Sequence, residues 1–212
     1  MLVGAMKGKN MMTTTEKQPP LLTLAGGAPG PQQGHWTYSD YAALDDGQRY
    51  EIMNGVLLMT PAPSWNHQEV TLEIATHLRA YLRTNILGGV FVAPIDVELT
   101  PKGVVQPDIV VLLKQNRHKL REKHIVGAPD MVVEVATPAT APYDRLNKYE
   151  AYRQAGVPEY WIVDPNERTI EAFLWENGDY RSLGIFSGKD TIPSQILPGL
   201  DVPVETLFFS VW

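Results

Sequence analysis

The sequence predicts a single α/β domain over residues 35–212, in which a central mixed β-sheet is flanked by helices. Helix-like and strand-like segments follow one another along these residues. Two of the strand-like segments are continuous β-branched runs, which are typical of strands covered on both faces. No internal repeat or linker divides the region, so we expect one hydrophobic core.

The composition limits the classes of protein to consider. Of the 212 residues, 44% are apolar and 20% charged, as in soluble globular domains, and there is no Cys. The lack of Cys excludes disulfides, thiolate nucleophiles and Cys-ligated metals. No apolar run approaches the roughly 20 residues of a membrane span, and the N-terminus has no hydrophobic region of signal-peptide type. We therefore expect a cytoplasmic protein without a membrane partner.

Residues 1–34 form the one segment without a folding pattern. They contain six Gly and four Pro and show no sustained periodicity. Such a segment has too little apolar surface to offset the entropy that it would lose on folding. We expect a disordered N-terminal extension.

The first elements of the domain have local signals. Ordered structure is expected to begin at Trp36, and Thr37 or Ser39 can cap a short helix that continues to Leu44. The turn signal Asn54-Gly55 predicts a hairpin between strands 49–53 and 56–60.

A long helix and a strand come next. Ser64 can cap a helix whose apolar positions recur every four residues up to Leu82, before Gly88-Gly89. Residues 90–99 end in alternating apolar and acidic positions, which predicts one half-buried strand.

The remaining elements follow the same reasoning. The β-branched runs 109–113 and 131–135 are predicted as central strands. Gly156 closes a helix over 144–155. Strands are expected at 159–163, 169–175 and 181–186, and the tail at 192–212 as coil and a short helix.

Two acidic residues beside the central strands are the first candidates for a metal site. Glu134 lies inside the apolar run 131–136, where a carboxylate needs a cation or a metal to compensate its lost solvation. Asp108 directly precedes strand 109–113. If the strands are neighbours, the two carboxylates converge as Mg²⁺ ligands with room for water and a phosphate. The alternatives are a core ion pair of Glu134 with Lys148 and a strand-entry acid at Asp108.

Three further residues each have two interpretations. Lys148 lies four residues after Asp144 on a predicted helix, where it forms a surface pair or enters the site to stabilise charge on a phosphate. Glu51 is the solvent-facing residue of its strand or a third acid of the site. His67, in a first helical turn, makes a local hydrogen bond or belongs to the site.

A basic segment lies between the two candidate metal-ligand strands, and it is a solvated face or a contact for DNA phosphates. Its cations are Lys114, Arg117, Lys119, Arg121 and Lys123. The net charge of −6 does not oppose such contact, because residues 154–212 alone carry −6 and residues 35–153 only −2.

Several motifs occur in a fixed order over more than a hundred residues. They are Tyr50 through Leu57, Pro61-Ala62-Pro63-Ser64 with His67-Gln68, Ala93 through Val97, Gln106-Pro107-Asp108, Pro129 through Val135, Thr137-Pro138, the helix 144–152, and Gly156 through Pro165. Together they resemble the Uma2 family, also called DUF820, of restriction-endonuclease-like proteins in the PD-(D/E)XK nuclease superfamily.

The resemblance implies a restriction-endonuclease-like core that acts on DNA. It implies Asp108 and Glu134 as ligands of Mg²⁺, or of Mn²⁺, and Glu51 as an additional acid. It also implies a homodimer, to which the aromatic pairs Tyr160-Trp161 or Phe208-Phe209 would contribute.

The sequence departs from the superfamily pattern at one position. Ala136 stands where the superfamily places a lysine, two residues after the second acid. We expect Lys148, oriented by Asp144, to supply that charge from the neighbouring helix.

The function expected is Mg²⁺-dependent hydrolysis of DNA phosphodiester bonds, with Asp108, Glu134, Lys148 and Glu51 as the catalytic set. One alternative is a catalytically inactive module that keeps the nuclease fold and binds nucleic acid or protein. Another is a metal-dependent hydrolase of a small phosphoester.

Overall fold

The computed structural model describes residues 23–136 and 144–208. The strands are β1 (Thr23–Leu24), β2 (Tyr50–Met53), β3 (Val56–Met59), β4 (Gly88–Val92), β5 (Asp96–Thr100), β6 (Gly103–Val105), β7 (Ile109–Leu113), β8 (His124–Val126), β9 (Met131–Val135), β10 (Glu159–Asp164), β11 (Thr169–Glu176) and β12 (Asp179–Ser187). The α-helices are α1 (Tyr38–Ala42), α2 (Trp65–Thr84) and α3 (Tyr149–Ala155). A π-helical turn, Asp144–Lys148, leads into α3, and 3-10 segments span Lys114–Lys119 and Val204–Phe208.

The strands form two six-stranded sheets. The first has the order β1-β3-β2-β6-β5-β8, and the second β12-β11-β10-β9-β7-β4. In the second sheet β9 runs parallel to β10 and antiparallel to β7, so this sheet is the predicted central mixed sheet. The first sheet, which contains the hairpin of β2 and β3, was not predicted.

The central sheet is covered on both faces. Helix α2 packs on one face through the predicted positions Val70, Ile74, Leu78 and Leu82, against residues such as Val133 of β9. On the other face, Val132 of β9 packs with side chains of the first sheet and of α3. This double cover explains why β7 and β9 are continuous apolar runs.

The local signals for the hairpin and the long helix hold in the structure. Asn54 and Gly55 both have positive φ, 53° and 76°, as a type I′ turn requires. Ser64 Oγ accepts a hydrogen bond from the backbone N–H of His67 and so caps α2. The fold is thus built from the locally predicted elements together with short strands that have weak local signals.

Two predictions about the elements need correction. The single strand over 90–99 is wrong, because the chain turns at Ala93-Pro94 and places β4 and β5 in different sheets. Disorder over the whole of 1–34 is also wrong. Residues Thr23 and Leu24 pair with β3, and the Gln33 side chain accepts a hydrogen bond from Leu57 N at 2.7 Å.

Within the two described ranges, no helix combines the length and apolar character needed to cross a bilayer.

Candidate active site

The centre of the site is a buried lysine between two buried glutamates. Lys148 Nζ lies 3.0 Å from Glu134 Oε1 and 3.1 Å from Glu51 Oε1. The exposed fractions of Glu51, Glu134 and Lys148 are only 1%, 2% and 7%. Ions taken out of water in this way are tolerated only when they are paired, so the three charges hold each other in place.

The two glutamates come from sheets that face each other. In β9, Val132 packs with the first sheet, so Glu134, two positions on, faces the same way. In β2, Tyr50 and Ile52 belong to a cluster on the outer side of the first sheet, so Glu51 points inward. The layer between the two sheets is therefore where the carboxylates meet.

Tyr152 of α3 completes the surroundings of Glu134. Its hydroxyl donates a hydrogen bond to Glu134 Oε1 at 2.5 Å. Burial, and next the negative charge of Glu134, raise the pKa of the Tyr152 hydroxyl well above its ordinary value. The phenol thus remains a neutral donor, and it fixes one oxygen of Glu134 together with Lys148.

Asp108 lies at the same end of the central sheet as Glu134. Strands β7 and β9 are antiparallel neighbours with Ile109 opposite Val133, so the position before β7 is next to the end of β9. Asp108 Oδ2 accepts a hydrogen bond from Val135 N at 2.8 Å. The two strands are thus neighbours, which is the condition set for the convergence, and their register places Asp108 opposite Glu134.

Gln106 joins Glu51 to this end of the sheet. Its backbone N–H donates to Glu51 Oε1 at 2.9 Å, two residues before Asp108. Its side-chain amide donates to Asp96 Oδ1 at 2.8 Å and to Tyr41 OH at 3.0 Å, and its oxygen accepts from Arg49 Nε at 3.0 Å. Burial is the main reason why the pKa of Asp96 is raised. In the sequence, Gln106 was named only as part of the Gln106-Pro107-Asp108 motif, and its role was not predicted because its partners are distant in the chain.

His67 is brought to Asp108 by the first turn of α2. Its Nε2 lies 3.1 Å from Asp108 Oδ2, and the ring is nearly buried. Of the two interpretations of His67, its place in the structure agrees with membership of the site.

Two of the alternative interpretations are excluded by burial. Glu51 is not a solvent-facing residue, because the second sheet covers its strand on the inner side. Lys148 is not part of a surface pair, because its ammonium is enclosed with Glu51 and Glu134. The core ion pair of Glu134 with Lys148 is present. The side chain of Asp144 and the Thr137-Pro138 motif lie outside the described residues.

The basic segment is not next to the carboxylates. It begins at Lys114, directly after β7, whereas Asp108 directly precedes β7. Asp108 and Lys114 are six residue steps apart along this extended segment, which separates them by about 20 Å. Lys119 Nζ donates to the Ala128 carbonyl at 2.7 Å and the Arg121 guanidinium to that of His118, so these two cations also hold their own loop.

The aromatic residues expected at a dimer interface are core residues. Tyr160 and Trp161 are buried on opposite faces of β10, and Phe208 packs in the cluster under α2. These side chains are not exposed at the protein surface, because the central sheet is covered on both faces. Phe209 lies outside the described residues.

The donor set fits a hard divalent cation held mainly by water and substrate. Among the described residues, no three His, Asp or Glu side chains form a ready-made metal cage. Mg²⁺ sites use one or two carboxylates and leave the other positions to water and phosphate oxygens. Among the residues that the structure describes, none forms a hydrogen bond with the buried Glu51 Oε2, although a buried polar oxygen normally has a partner. The buried carboxylates of Glu51 and Glu134, with Asp108 on the neighbouring strand, are hard oxygen ligands of the kind that such a cation uses.

Comparisons with known proteins show the family and the fold of the chain. The family model Uma2, described as "Putative restriction endonuclease", matches residues 37–205. Five solved chains match the structure. One is the crystal structure of a putative nuclease belonging to DUF820 from Anabaena variabilis, with a TM-score of 0.68 and 17% identity. The match covers 82% of this chain and 97% of that one, and at this identity it shows a shared fold.

The comparison with curated proteins gives no match. The family model alone covers well over half of the chain, in the part that contains both sheets and the buried ion cluster. The chain therefore belongs to the Uma2 family, and its fold is that of a nuclease-like α/β domain.

Proposed function

We propose that the chain is a divalent-metal-dependent endonuclease that hydrolyses DNA phosphodiester bonds. The observation that carries the proposal is the buried pair of Glu51 and Glu134 around the ammonium of Lys148, with Asp108 on the strand next to Glu134. Among the described residues, one buried Glu51 oxygen has no hydrogen-bond partner. Family membership supports a nucleic-acid substrate.

Each residue has a task in the proposed reaction. Asp108 and Glu134 would hold Mg²⁺ or Mn²⁺, and Glu51 would add charge next to them. The bound ion would supply an activated water and neutralise charge on the phosphate. Lys148 lies next to Glu134, one of the two proposed metal ligands. From there its ammonium would stabilise the charge that develops on the oxygens of a phosphate bound to the metal. Tyr152 holds Glu134 in place through its hydroxyl.

The test is a cleavage assay on the full chain. We expect supercoiled plasmid to be nicked in Mg²⁺ or Mn²⁺ and to stay intact when EDTA is present. Linear duplex DNA, single-stranded DNA and RNA are the comparison substrates. Absence of cleavage on all four substrates with both metals would contradict the proposal.

An inactive nuclease-fold module that binds nucleic acid or protein is the second candidate. It is favoured by Ala136, which is buried on the face of Glu134 where the superfamily has its lysine. It is also favoured by the ion pairs of Lys148, which satisfy two carboxylates without a metal. Calorimetry that detects DNA binding but no Mn²⁺ binding would favour this module.

DNA contact through the basic segment is part of the proposal. A duplex covers the roughly 20 Å between the segment and Asp108 in about six base pairs, so one DNA molecule can reach both. Lys114, Arg117 and Lys123 are exposed. Their joint replacement by Ala should reduce the slope of log K against log salt by about 2 to 3, since each lost phosphate contact removes about 0.9.

The matched control for this variant is the joint replacement of Lys7, Lys9 and Lys17, which removes the same charge outside the domain. Binding should be measured by fluorescence anisotropy without divalent metal. Equal slopes for the wild type and the triple Ala variant would exclude the segment as the contact surface.

Homodimerisation is also proposed, on the family resemblance. Strand β12 is an edge of the central sheet, and its Ile185 is exposed, so an edge is available for a second copy. Sedimentation equilibrium over a range of protein concentrations tests it, and a single monomer mass throughout would contradict it.

A further inference from the structure

The imidazole of His67 lies between two polar side chains. Its Nε2 is 3.1 Å from Asp108 Oδ2, and its Nδ1 is 3.4 Å from Thr71 Oγ1 on the other side of the ring. The Thr71 hydroxyl donates to the His67 carbonyl at 2.7 Å, which fixes the threonine oxygen in turn. Because Oδ2 of a carboxylate has only lone pairs to offer, Nε2 is the nitrogen that carries the hydrogen in this contact.

Asp108 is held through one of its two oxygens. Oδ2 accepts from His67 on α2 and from the backbone N–H of Val135 on β9. Among the described residues, no group forms a hydrogen bond with Oδ1. The two donors come from different elements, so they fix the rotation of the carboxylate and leave Oδ1 for a ligand.

The cap of helix α2 does not explain why this position carries an imidazole. The cap of α2 is the Ser64 hydroxyl, which accepts from the backbone N–H of His67 at 3.3 Å. Any residue other than proline supplies that N–H, so the imidazole itself has no part in it. His67 is 8% exposed, and among the described residues the polar contacts of its ring are those with Thr71 and Asp108.

We infer that His67 is a positioning residue of the metal site, which holds Asp108 so that Oδ1 is presented to a divalent cation. The inference rests on the proposed function, since Asp108 is a metal ligand only there. Outer-shell partners of this kind orient the ligand, and their loss typically lowers metal affinity about 10- to 100-fold.

The test is a titration of the full chain with Mn²⁺ alone, in which electron paramagnetic resonance measures the free ion. We expect His67→Leu to weaken Mn²⁺ binding about 10- to 100-fold. His67→Gln should bind within about threefold of the wild type, because its amide N–H can replace that of Nε2. The matched control is His77→Leu, on the same helix, whose imidazole pairs with Glu73 at 3.3 Å. It should bind as the wild type does.

The outcomes separate this inference from the proposed function. A wild type without Mn²⁺ affinity would overturn the proposed function. A wild type that binds Mn²⁺, with His67→Leu binding equally well, would overturn the inference alone. So would electron spin-echo modulation from an imidazole nitrogen bound directly to Mn²⁺, because His67 would then be a ligand.

A folding defect does not remove the test. If His67→Leu fails to fold, His67→Asn takes its place, since its amide is one methylene shorter than that of Gln and should not reach Asp108. Tight Mn²⁺ binding by His67→Gln together with weak Mn²⁺ binding by His67→Asn would support the inference. Equal affinity of these two variants would contradict it.

Discussion

Replacing Lys148 by Met should lower the free energy of unfolding by about 3 to 5 kcal/mol, the usual effect of removing one partner from a buried ion pair. The ammonium is 7% exposed and lies within 3.1 Å of both Glu51 and Glu134. Without it, two buried carboxylates face each other and lose the cation between them. Denaturant unfolding followed by circular dichroism measures the change. A chain of this length should lose about 2 to 4 °C in Tm per kcal/mol.

Two variants make this result specific. Lys114→Met removes an exposed ammonium and should change stability by less than about 0.5 kcal/mol. Adding Glu51→Gln to Lys148→Met removes one of the repelling charges and should restore part of the loss. A Lys148→Met protein as stable as Lys114→Met would contradict the buried cluster.

Replacing either proposed metal ligand should reduce plasmid cleavage by about 10³-fold or more. A catalytic metal contributes several kcal/mol of charge stabilisation, and each 1.36 kcal/mol corresponds to a factor of ten in rate. The variants are Asp108→Asn and Glu134→Gln, which keep the shape of the side chains. They leave Lys148 paired with Glu51, so they test chemistry more than folding. The initial nicking rate at saturating Mg²⁺ is the quantity to measure.

The controls are exposed acids away from the site. Asp201→Asn and Glu167→Gln match the two changes chemically and should leave the rate unchanged. Equal rates for the wild type, Asp108→Asn and Glu134→Gln would discard the site assignment.

Elements with strong local signals were predictable from the sequence. The Asn54-Gly55 turn, the cap at Ser64 and the apolar runs of β7 and β9 each depend on residues close together in the chain. Strands β1, β6 and β8 have two or three residues each, and they exist because distant segments pair with them. The first sheet was therefore missed, and with it the separation of β4 from β5.

The site, like the fold, has features that depend on residues close together in the chain and features that depend on the packing of distant segments. The convergence of Asp108 and Glu134 was predictable, because both acids adjoin buried strands that proved to be neighbours. The burial of Glu51 was not, since a four-residue strand gives no sign that a second sheet covers its inner face. Tyr152 shares a helical row with Lys148, but its bond to Glu134 depends on how α3 packs against β9.

The most direct measurement is a crystal structure of the full chain soaked in Mn²⁺, with the ion located by its anomalous scattering. We expect Mn²⁺ to be bound by carboxylate oxygens of Asp108 and Glu134. We also expect Asp108 Oδ2 to keep its hydrogen bonds with His67 and with the backbone N–H of Val135. A structure without Mn²⁺ at these carboxylates, in which Lys148 still joins Glu51 and Glu134 at saturating metal, would contradict the account.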